Sequence, residues 1–430
     1  MIRIVKSKEF NTDRTVQNTV PESVVASVKD IIAGVINRGD LALREYTEKF
    51  DKCNIDAFEV PPAAIDAAFL EAGADFTGVL ERAAKNIGDF HRNQIRQGFV
   101  MTHGDGVVLG QRILPLERVG IYIPGGTAAY PSNLLMNCIP AKLAGVREII
   151  LATPPSKDGG VDAAILAAAK VAGVTRVFSI GGAQAIAALA YGTETVPRVD
   201  KVVGAGNAFV AEAKRQVFGA VGIDMIAGPS DILVIADGNA DATLVAADML
   251  SQCEHGADSI AVLITNSDRL AANVQGEIET QLSSLPREGI ARESIDKNGS
   301  IVISETIEQA FEIANKLAPE HLEIFLNEPF SYLDRVQNAG SVFLGSHTPE
   351  ALGDYYAGPN NTIPTSGTAR FSSPLSVDDF TKKSSFTYYD ADALLKVGGD
   401  IEQFAEKEGL AAHARSVSRR MKNKEDKNKR

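Results

Sequence analysis

Two polar residues near the end of a helix-like segment, Gln252 and His255, could bind a metal ion. Their spacing would put both side chains on one helical face, and Gly256 is suited to ending the helix because glycine readily adopts a left-handed conformation. Imidazole is a common metal ligand. A histidine at a helix end can equally serve as a cation that complements the helix dipole. The spacing alone therefore leaves both interpretations open.

The adjacent residues Glu320 and His321 could transfer protons. Neighbours on a helix or a strand cannot both point the same way, but from a loop or turn the two side chains could reach one substrate. Histidine is the natural base near neutral pH, and a glutamate can activate water. An exposed surface pair is the alternative interpretation, because such residues are mostly exposed.

Two further residues complete a possible metal-binding set. Asp354 lies among glycines, where an aspartate usually forms a turn. His413 is distant from the others in sequence and by itself is typical of an ordinary helix residue. Together with Gln252 and His255 they offer oxygen and nitrogen donors for a divalent cation, and imidazoles favour zinc. Glutamine is, however, an uncommon zinc ligand.

Three glycine-rich segments could bind an anionic ligand. The segment 204–209 follows the strand-like residues 201–203 and opens a helix, which suits an anion at a helix N-terminus. It lacks the third glycine of the dinucleotide-binding fingerprint. The segments 124–126 and 181–184 are predicted turns at the carboxyl ends of strands, where open α/β sheets bind their ligands.

The segments around these residues alternate between strands and helices. Alternation of this kind predicts βαβ units and parallel sheets, hence an α/β fold. We predict one unit near 120–228, a second near 229–350, and a helical region over 20–100 that packs on the second unit. The predicted strands are 119–123, 148–152, 176–180, 232–236, 260–265, 300–304, 322–326 and 341–344, and the predicted helices are 131–144, 163–172, 182–191 and 241–252.

The composition excludes several classes of protein. A net charge of −12 disfavours a nucleic-acid-binding surface, because phosphate binding needs clustered lysines and arginines. The one basic cluster, 419–430, is typical of a solvated, frayed terminus. Three widely spaced cysteines do not suggest a disulfide framework. We find no signal peptide and no apolar run long enough to span a membrane, so we expect a cytoplasmic protein.

From about residue 20 to 415 the chain resembles histidinol dehydrogenases. Many dispersed motifs in the correct order make this resemblance more specific than any single glycine motif. The matching segments are Val119-Gly-Ile-Tyr-Ile-Pro-Gly-Gly126, Gly181-Gly-Ala-Gln-Ala-Ile186, Gly206-Asn-Ala-Phe-Val210, Ala227-Gly-Pro-Ser230, Ser251-Gln-Cys-Glu-His-Gly256, Ala318-Pro-Glu-His-Leu322, Gly353-Asp354-Tyr355, Arg370-Phe-Ser-Ser-Pro-Leu-Ser-Val377 and Glu408-Gly-Leu-Ala-Ala-His413.

The resemblance implies a role for each candidate residue. Glu320 and His321 would be the acid–base pair. The zinc ligands would be Gln252, His255, Asp354 and, from the partner subunit, His413. The substrate would be held by Ser230, Gln252, His255, His321, Asp354, Glu408 and His413, with Glu408 also crossing the dimer interface. NAD would contact Tyr122, Gln184 and Asn207.

The resemblance also implies a fold and a reaction. The fold would be two large, incomplete Rossmann-like domains of the aldehyde-dehydrogenase type, with small N- and C-terminal extensions that build a homodimer. We assign 1–20 to the N-terminal extension, 21–121 with 229–375 to the first domain, 122–228 to the second, NAD-contacting domain, and 376–430 to the C-terminal dimerisation segment. The reaction would be the four-electron oxidation of L-histidinol to L-histidine with zinc and two NAD.

Two positions depart from the family pattern. Family members commonly carry histidine where this chain has Asn361, near the substrate, and proline where it has Ala205. Asparagine keeps hydrogen-bonding capacity but cannot carry a proton. The metal and acid–base positions are all retained.

The departure at Asn361 puts the substrate in question, and three rival interpretations can be weighed against the residues present. The nearest is a relative of the same fold that oxidises another small alcohol, such as a dihydroxypropanesulfonate. The presence of Ser230 and Glu408 favours histidinol over that substrate. A silent scaffolding protein should have lost site residues, and a zinc hydrolase would have no use for the NAD set.

Overall fold

The computed structural model describes residues 1–13, 20–125, 129–156 and 159–428, with side chains described through residue 422. Residue contacts divide the chain into two compact units. The first unit comprises Met1–Gln94 and Leu116–Phe380, and the second comprises Ile95–Pro115 and Thr381–Arg430. The predicted domain boundaries differ from this division, since they put 95–115 with the first α/β domain. They describe functional domains and stay a prediction.

The strands in the described residues form three sheets. They are β1 (Arg3–Lys6), β2 (Phe99–His103), β3 (Val107–Pro115), β4 (Arg118–Tyr122), β5 (Glu148–Thr153), β6 (Arg176–Ser179), β7 (Lys201–Val203), β8 (Gly222–Ile223), β9 (Asp231–Ala236), β10 (Ile260–Thr265), β11 (Ser300–Ile303), β12 (His321–Phe325), β13 (Ser341–Leu344) and β14 (Thr381–Tyr389).

The helices between and around these strands are α1 (Glu22–Tyr46), α2 (Pro62–Glu71), α3 (Gly73–His91), α4 (Pro131–Ala144), α5 (Ala163–Ala172), α6 (Gly182–Tyr191), α7 (Ala208–Val217), α8 (Ala242–Cys253), α9 (Asp268–Leu282), α10 (Glu288–Asn298), α11 (Ile307–Leu317), α12 (Glu350–Leu352), α13 (Ala391–Lys407) and α14 (Ala411–Asn428). The α/β prediction and the predicted strands and helices of 119–344 are confirmed, with boundaries that shift by a residue or so.

Two parallel sheets make up the first unit. One has the order β6-β5-β4-β7-β8 and the other the order β1-β11-β10-β9-β12-β13. Their central strands β5 and β9 are apolar and buried over most of their length after an acidic first residue, as expected where helices cover both faces of a sheet. The two sheets therefore provide the rigid edges from which loops can position functional side chains.

Local sequence explains where the helices begin and end. Asp162 begins α5 by accepting hydrogen bonds from the main-chain N–H groups of the first turn, and Gly173 ends it in the left-handed conformation. Asp241 begins α8 in the same way. Because α8 then runs to Cys253, it delivers Gln252 and His255 to one edge of the second sheet.

The N-terminal helices pack on the first sheet, so the prediction that they pack on the second unit (229–350) is wrong. The α1 helix lies against α6 and α7, α2 against α5, and α3 against α4. Alanines predominate on α6 and let α1 approach closely, which buries Val28, Ile31 and Val35. The chain after α1 then adds to the sheet edge, where the Val60 N–H donates to the Val177 carbonyl at 2.8 Å.

The sequence interpretation did not predict β1. This strand pairs in parallel with β11, and Ile2 just before it is buried. Its side chains are mostly exposed, as at a sheet edge, so no alternating pattern marks it in the sequence.

The second unit is built from two distant chain segments. Its antiparallel sheet has the order β14-β3-β2, and α13 packs against α14. Gly110 of β3 leaves room for Phe386 of β14, since a Cβ at Gly110 would lie 2.2 Å from the Phe386 ring. The α14 helix continues to Asn428, where we expected a frayed tail; residues 429–430 lie outside the described part of the chain.

Among the described helices, none combines the length and apolar character needed to cross a bilayer.

The packing of α1 on the first sheet gives a direct stability test. Ile31→Ala removes a side chain that is 6% exposed in the interface with α6, and we expect it to lower the free energy of unfolding by about 2–5 kcal/mol. The control is Ile36→Ala on the same helix, at a residue that is 50% exposed, where we expect a loss below about 1 kcal/mol. Urea denaturation measures both variants. Equal losses would contradict the packing described here.

Candidate active site

The predicted acid–base pair lies at the amino edge of the second sheet. Asp231 is the first residue of β9 and His321 is the first residue of β12, and these neighbouring strands run parallel with His321 opposite Ile232. Glu320 immediately precedes β12. Open α/β sheets more often bind ligands at the carboxyl ends of their strands. This pair lies at the opposite edge, because Asp231 and His321 are the first residues of their strands.

Reciprocal hydrogen bonds join Glu320 to Asp231. The Glu320 N–H donates to Asp231 Oδ1, and the Asp231 N–H donates to Glu320 Oε2, each at 2.9 Å. Both residues are buried, Asp231 completely. The Glu320 carboxyl is therefore held in one orientation despite standing at the end of a strand.

Asp231 also fixes the tautomer of His321. His321 Nδ1 lies 3.0 Å from the main-chain oxygen of Asp231. A carbonyl can only accept, so this contact assigns the hydrogen to Nδ1 and leaves Nε2 as the basic nitrogen. Nε2 has no hydrogen-bond partner among the described residues, and lies 3.6 Å from Asp354 Oδ1 and 3.9 Å from Glu350 Oε1. The nitrogen that can accept a proton thus faces the carboxylates.

The surroundings shift the pKa of both members of the pair. Burial raises the pKa of Glu320 to about 8. Burial alone would lower the pKa of His321, but the neighbouring carboxylates, chiefly that of Glu350, outweigh it and raise this pKa well above its usual value. The site therefore gathers buried acidic groups whose ionised forms a bound cation would stabilise.

Three side chains beside His321 form a cluster that could hold a metal ion. One ligand atom each from His255, Glu350 and Asp354 lies within 4.8 Å of the others. His255 follows the end of α8, and nearby protein atoms desolvate its ring and lower its pKa, which favours the neutral, metal-binding form. An imidazole with two carboxylates fits zinc among the common divalent cations.

Gln252 joins this cluster through Glu350. With its amide nitrogen turned toward Glu350, Gln252 donates to both carboxylate oxygens, at 2.7 and 2.9 Å. The amide oxygen then points away from Glu350. Orientation of a ligand by a hydrogen-bonded neighbour is common at metal sites.

Glu350 is the main site residue that the sequence analysis missed. It is 3% exposed and burial raises its pKa to about 7. Ser251 Oγ donates to its carboxylate at 3.1 Å, and its own N–H donates to Glu323 Oε1 at 2.8 Å. In the sequence it follows Pro349 at the start of a short helix, where an acidic residue is unremarkable. No local signal distinguished it.

The turn that carries Asp354 is fixed by close packing. Gly353 is needed there because a Cβ would lie 2.5 Å from the Phe343 ring. Asn361 Nδ2 donates to the Asp354 carbonyl at 3.1 Å and to Asn133 Oδ1 at 2.7 Å. The residue that departs from the family pattern therefore supports the backbone of a predicted ligand.

The predicted NAD residues gather at the carboxyl edge of the first sheet. Tyr122 ends β4, and its hydroxyl accepts a hydrogen bond from the Gly182 N–H at 3.0 Å. Gln184 is buried in the first turn of α6, next to Gly182. Asn207 begins α7, where its Oδ1 accepts from the N–H groups of the first turn. Gly126, of the glycine-rich segment 124–126, lies outside the described residues.

The remaining candidates are less closely tied to these clusters. Ser230 directly precedes β9, and its carbonyl accepts from the Ile260 N–H at 3.0 Å. Glu408 and His413 are exposed residues of the second unit. The roles assigned to all three stay predictions.

Comparison with known proteins identifies close relatives. A family model described as histidinol dehydrogenase matches residues 14–421. Histidinol dehydrogenase from Clostridium acetobutylicum is 50% identical over 428 residues, which covers 98% of this chain and 99% of the relative.

Solved structures give the same result. Histidinol dehydrogenase from Elizabethkingia anophelis matches with a TM-score of 0.92 and 38% identity over 98% of each chain. An acetylating aldehyde dehydrogenase from Geobacillus thermoglucosidasius matches with a TM-score of 0.50 and 13% identity over 87% of this chain and 98% of that one. The second match shows the fold alone, and it confirms the predicted aldehyde-dehydrogenase-like architecture.

The role of Asp231 as the anchor of the pair can be tested by two substitutions. Asp231→Ala removes the acceptor of the buried Glu320 N–H, and we expect a loss of about 1–3 kcal/mol in the free energy of unfolding. Asp231→Asn retains a side-chain oxygen at that position and should lose less. Chemical denaturation gives the ranking, and an asparagine variant as unstable as the alanine variant would contradict it.

Proposed function

The chain belongs to the histidinol dehydrogenase family, and we propose that it oxidises L-histidinol to L-histidine in two NAD-dependent steps, in the cytoplasm, within histidine synthesis. The strongest support from the site itself is the buried His321. Its Nε2 lacks a partner among the described residues and faces a cluster of metal-binding side chains. A proton acceptor beside a cation site suits the oxidation of an alcohol, because the base removes the hydroxyl proton and a cation can orient the substrate.

The zinc ligands in this proposal are Gln252, His255 and Asp354, together with His413 of the partner subunit. A zinc ion bound there would orient the amine and imidazole of the substrate. Glu350 would act behind the ligands, because its hydrogen bonds with the Gln252 amide turn the amide oxygen outward. This arrangement explains how a neutral glutamine, an uncommon zinc ligand, can serve in the set.

In the first oxidation, His321 is the base, in its neutral form, which a cation bound beside it would favour over the protonated form. Its Nε2 takes the proton of the substrate hydroxyl as the carbinol carbon loses a hydride, and an aldehyde forms. The hydrogen bond from Nδ1 to the Asp231 carbonyl keeps the ring in the required tautomer and stabilises the protonated imidazole.

In the second oxidation, Glu320 and His321 divide the work. The Glu320 carboxylate removes a proton from the water that adds to the aldehyde carbon. His321, protonated in the first step, gives that proton to the aldehyde oxygen as the water adds, so the hydrate forms beside a neutral imidazole. Its Nε2 then accepts a hydroxyl proton of the hydrate as the second hydride leaves, and the carboxylic acid forms. The carboxylate must be ionised for this step, and a bound cation would favour ionisation.

The cofactor residues in this proposal are Tyr122, Gln184 and Asn207. NAD bound there would accept each hydride in turn. Tyr122 and Gln184 are buried and would shape the pocket, whereas Asn207 holds the N-terminus of α7, where main-chain N–H groups favour an anionic diphosphate.

A homodimer would complete each active site. Glu408 and His413 of the partner subunit would contact the substrate and the metal. A site closed by a second subunit would retain the aldehyde between the two oxidations.

The overall reaction predicts a fixed stoichiometry. Purified, zinc-loaded protein should form two NADH for each L-histidinol consumed, because the oxidation removes four electrons. Removal of zinc by a chelator should lower the rate at least about tenfold, and added zinc should restore it. NADH absorbance and histidine analysis measure both. No NADH formation would refute the proposed substrate, and one NADH per histidinol would refute the two-step reaction.

The division of labour predicts unequal effects of Glu320→Gln. Loss of a general base should slow oxidation of added histidinaldehyde by about 100- to 10,000-fold, whereas the alcohol step, followed by rapid-mixing kinetics, should slow much less. The matched control is Glu328→Gln at an exposed residue beyond β12, which should leave both steps intact. Equal losses in the two steps of the Glu320 variant would contradict the assignment.

A further inference from the structure

A buried ion pair lies beneath the loop that follows β7. Lys214 of α7 and Asp224, just beyond β8, are in ion-pair contact, and their side chains are only 2% and 1% exposed. Neither belongs to the predicted catalytic, metal or cofactor sets. Replacement of such a pair by apolar residues is often neutral or stabilising, so stability alone does not explain its presence.

Both partners bind the same residue, Gly204. Lys214 Nζ donates to the Gly204 carbonyl at 2.8 Å, and the Gly204 N–H donates to Asp224 Oδ2 at 2.8 Å. The two polar main-chain groups of one glycine are thus held by opposite charges. Because the Asp224 carboxylate neutralises the Lys214 cation, the pair acts mainly by fixing the position of the Gly204 main chain.

The backbone conformation and close packing at Gly204 require glycine. Its φ is +110°, and a Cβ there would lie 2.1 Å from the Tyr122 carbonyl oxygen. Two residues later, a Cβ at Gly206 would lie 3.0 Å from Cε1 of the Tyr122 ring. The loop therefore packs along Tyr122 and then reaches Asn207 at the start of α7.

We propose that Lys214 and Asp224 are positioning residues for the cofactor, which hold the 204–207 loop in the conformation that binds NAD. This inference rests on the proposed function, since Tyr122 and Asn207 are cofactor residues only within it. Without the pair, the loop would sample other conformations and the cofactor would have to order it on binding, which weakens affinity.

The test is the double variant Lys214→Met/Asp224→Leu in the full-length, zinc-loaded protein. This change removes both charges together, so no unpaired charge stays buried. We expect the KM for NAD, and the Kd for NADH from its fluorescence, to rise at least about tenfold. The kcat at saturating NAD, the KM for histidinol and the zinc content should stay near wild type. The matched control is Arg215→Gln, which removes the neighbouring, half-exposed cation of α7 and should change none of these constants.

A merely structural pair would lower the unfolding temperature without a selective change in NAD affinity, and that result in the double variant would overturn the inference. If the wild type fails to reduce NAD with histidinol, the proposed function falls and the inference falls with it.

Discussion

The site depends on one buried carboxylate, Asp231, and the main-chain groups beside it. Through three hydrogen bonds this residue fixes the backbone of Glu320, its carboxyl group and the tautomer of His321. All three bonds link the start of β9 to the start of β12 or to the residue just before it, so the register of β9 and β12 sets the geometry of the predicted acid–base pair. A side chain anchored to a sheet in this way loses little further freedom when it reacts.

Several acidic side chains lie near Asp231, and their burial disfavours their ionised forms. Burial raises the pKa of Glu320 and of Glu350, and it raises the pKa of Asp248 behind them to about 6. Such an arrangement costs free energy in the absence of a cation and favours binding of one. The cluster of His255, Glu350 and Asp354 is therefore consistent with a metal centre. The positions of Glu320 and His321 beside it are set by the sheet.

The sequence predicted the parallel strands, the helices between them and the fold class, because buried apolar runs separated by amphipathic helices are local signals. It also predicted Gln252, His255 and Asp354, of which the structure brings His255 and Asp354 together and links Gln252 to them through Glu350. It missed Glu350, whose role arises from contacts with Ser251 and Glu323, far away in the chain. The packing of α1 was mispredicted for a similar reason, since an apolar helical face does not specify which sheet it will cover.

The two sheets present opposite edges to their predicted ligands. Beside the amino edge of the second sheet lie the carboxyl ends of α8 and α11, whose main-chain carbonyls carry partial negative charge. Beside the carboxyl edge of the first sheet lie the amino ends of α6 and α7, whose N–H groups carry partial positive charge. Strand direction alone would thus separate the two kinds of predicted ligand, because a cation and an anionic dinucleotide would each meet backbone of the opposite partial charge, whatever side chains surround it.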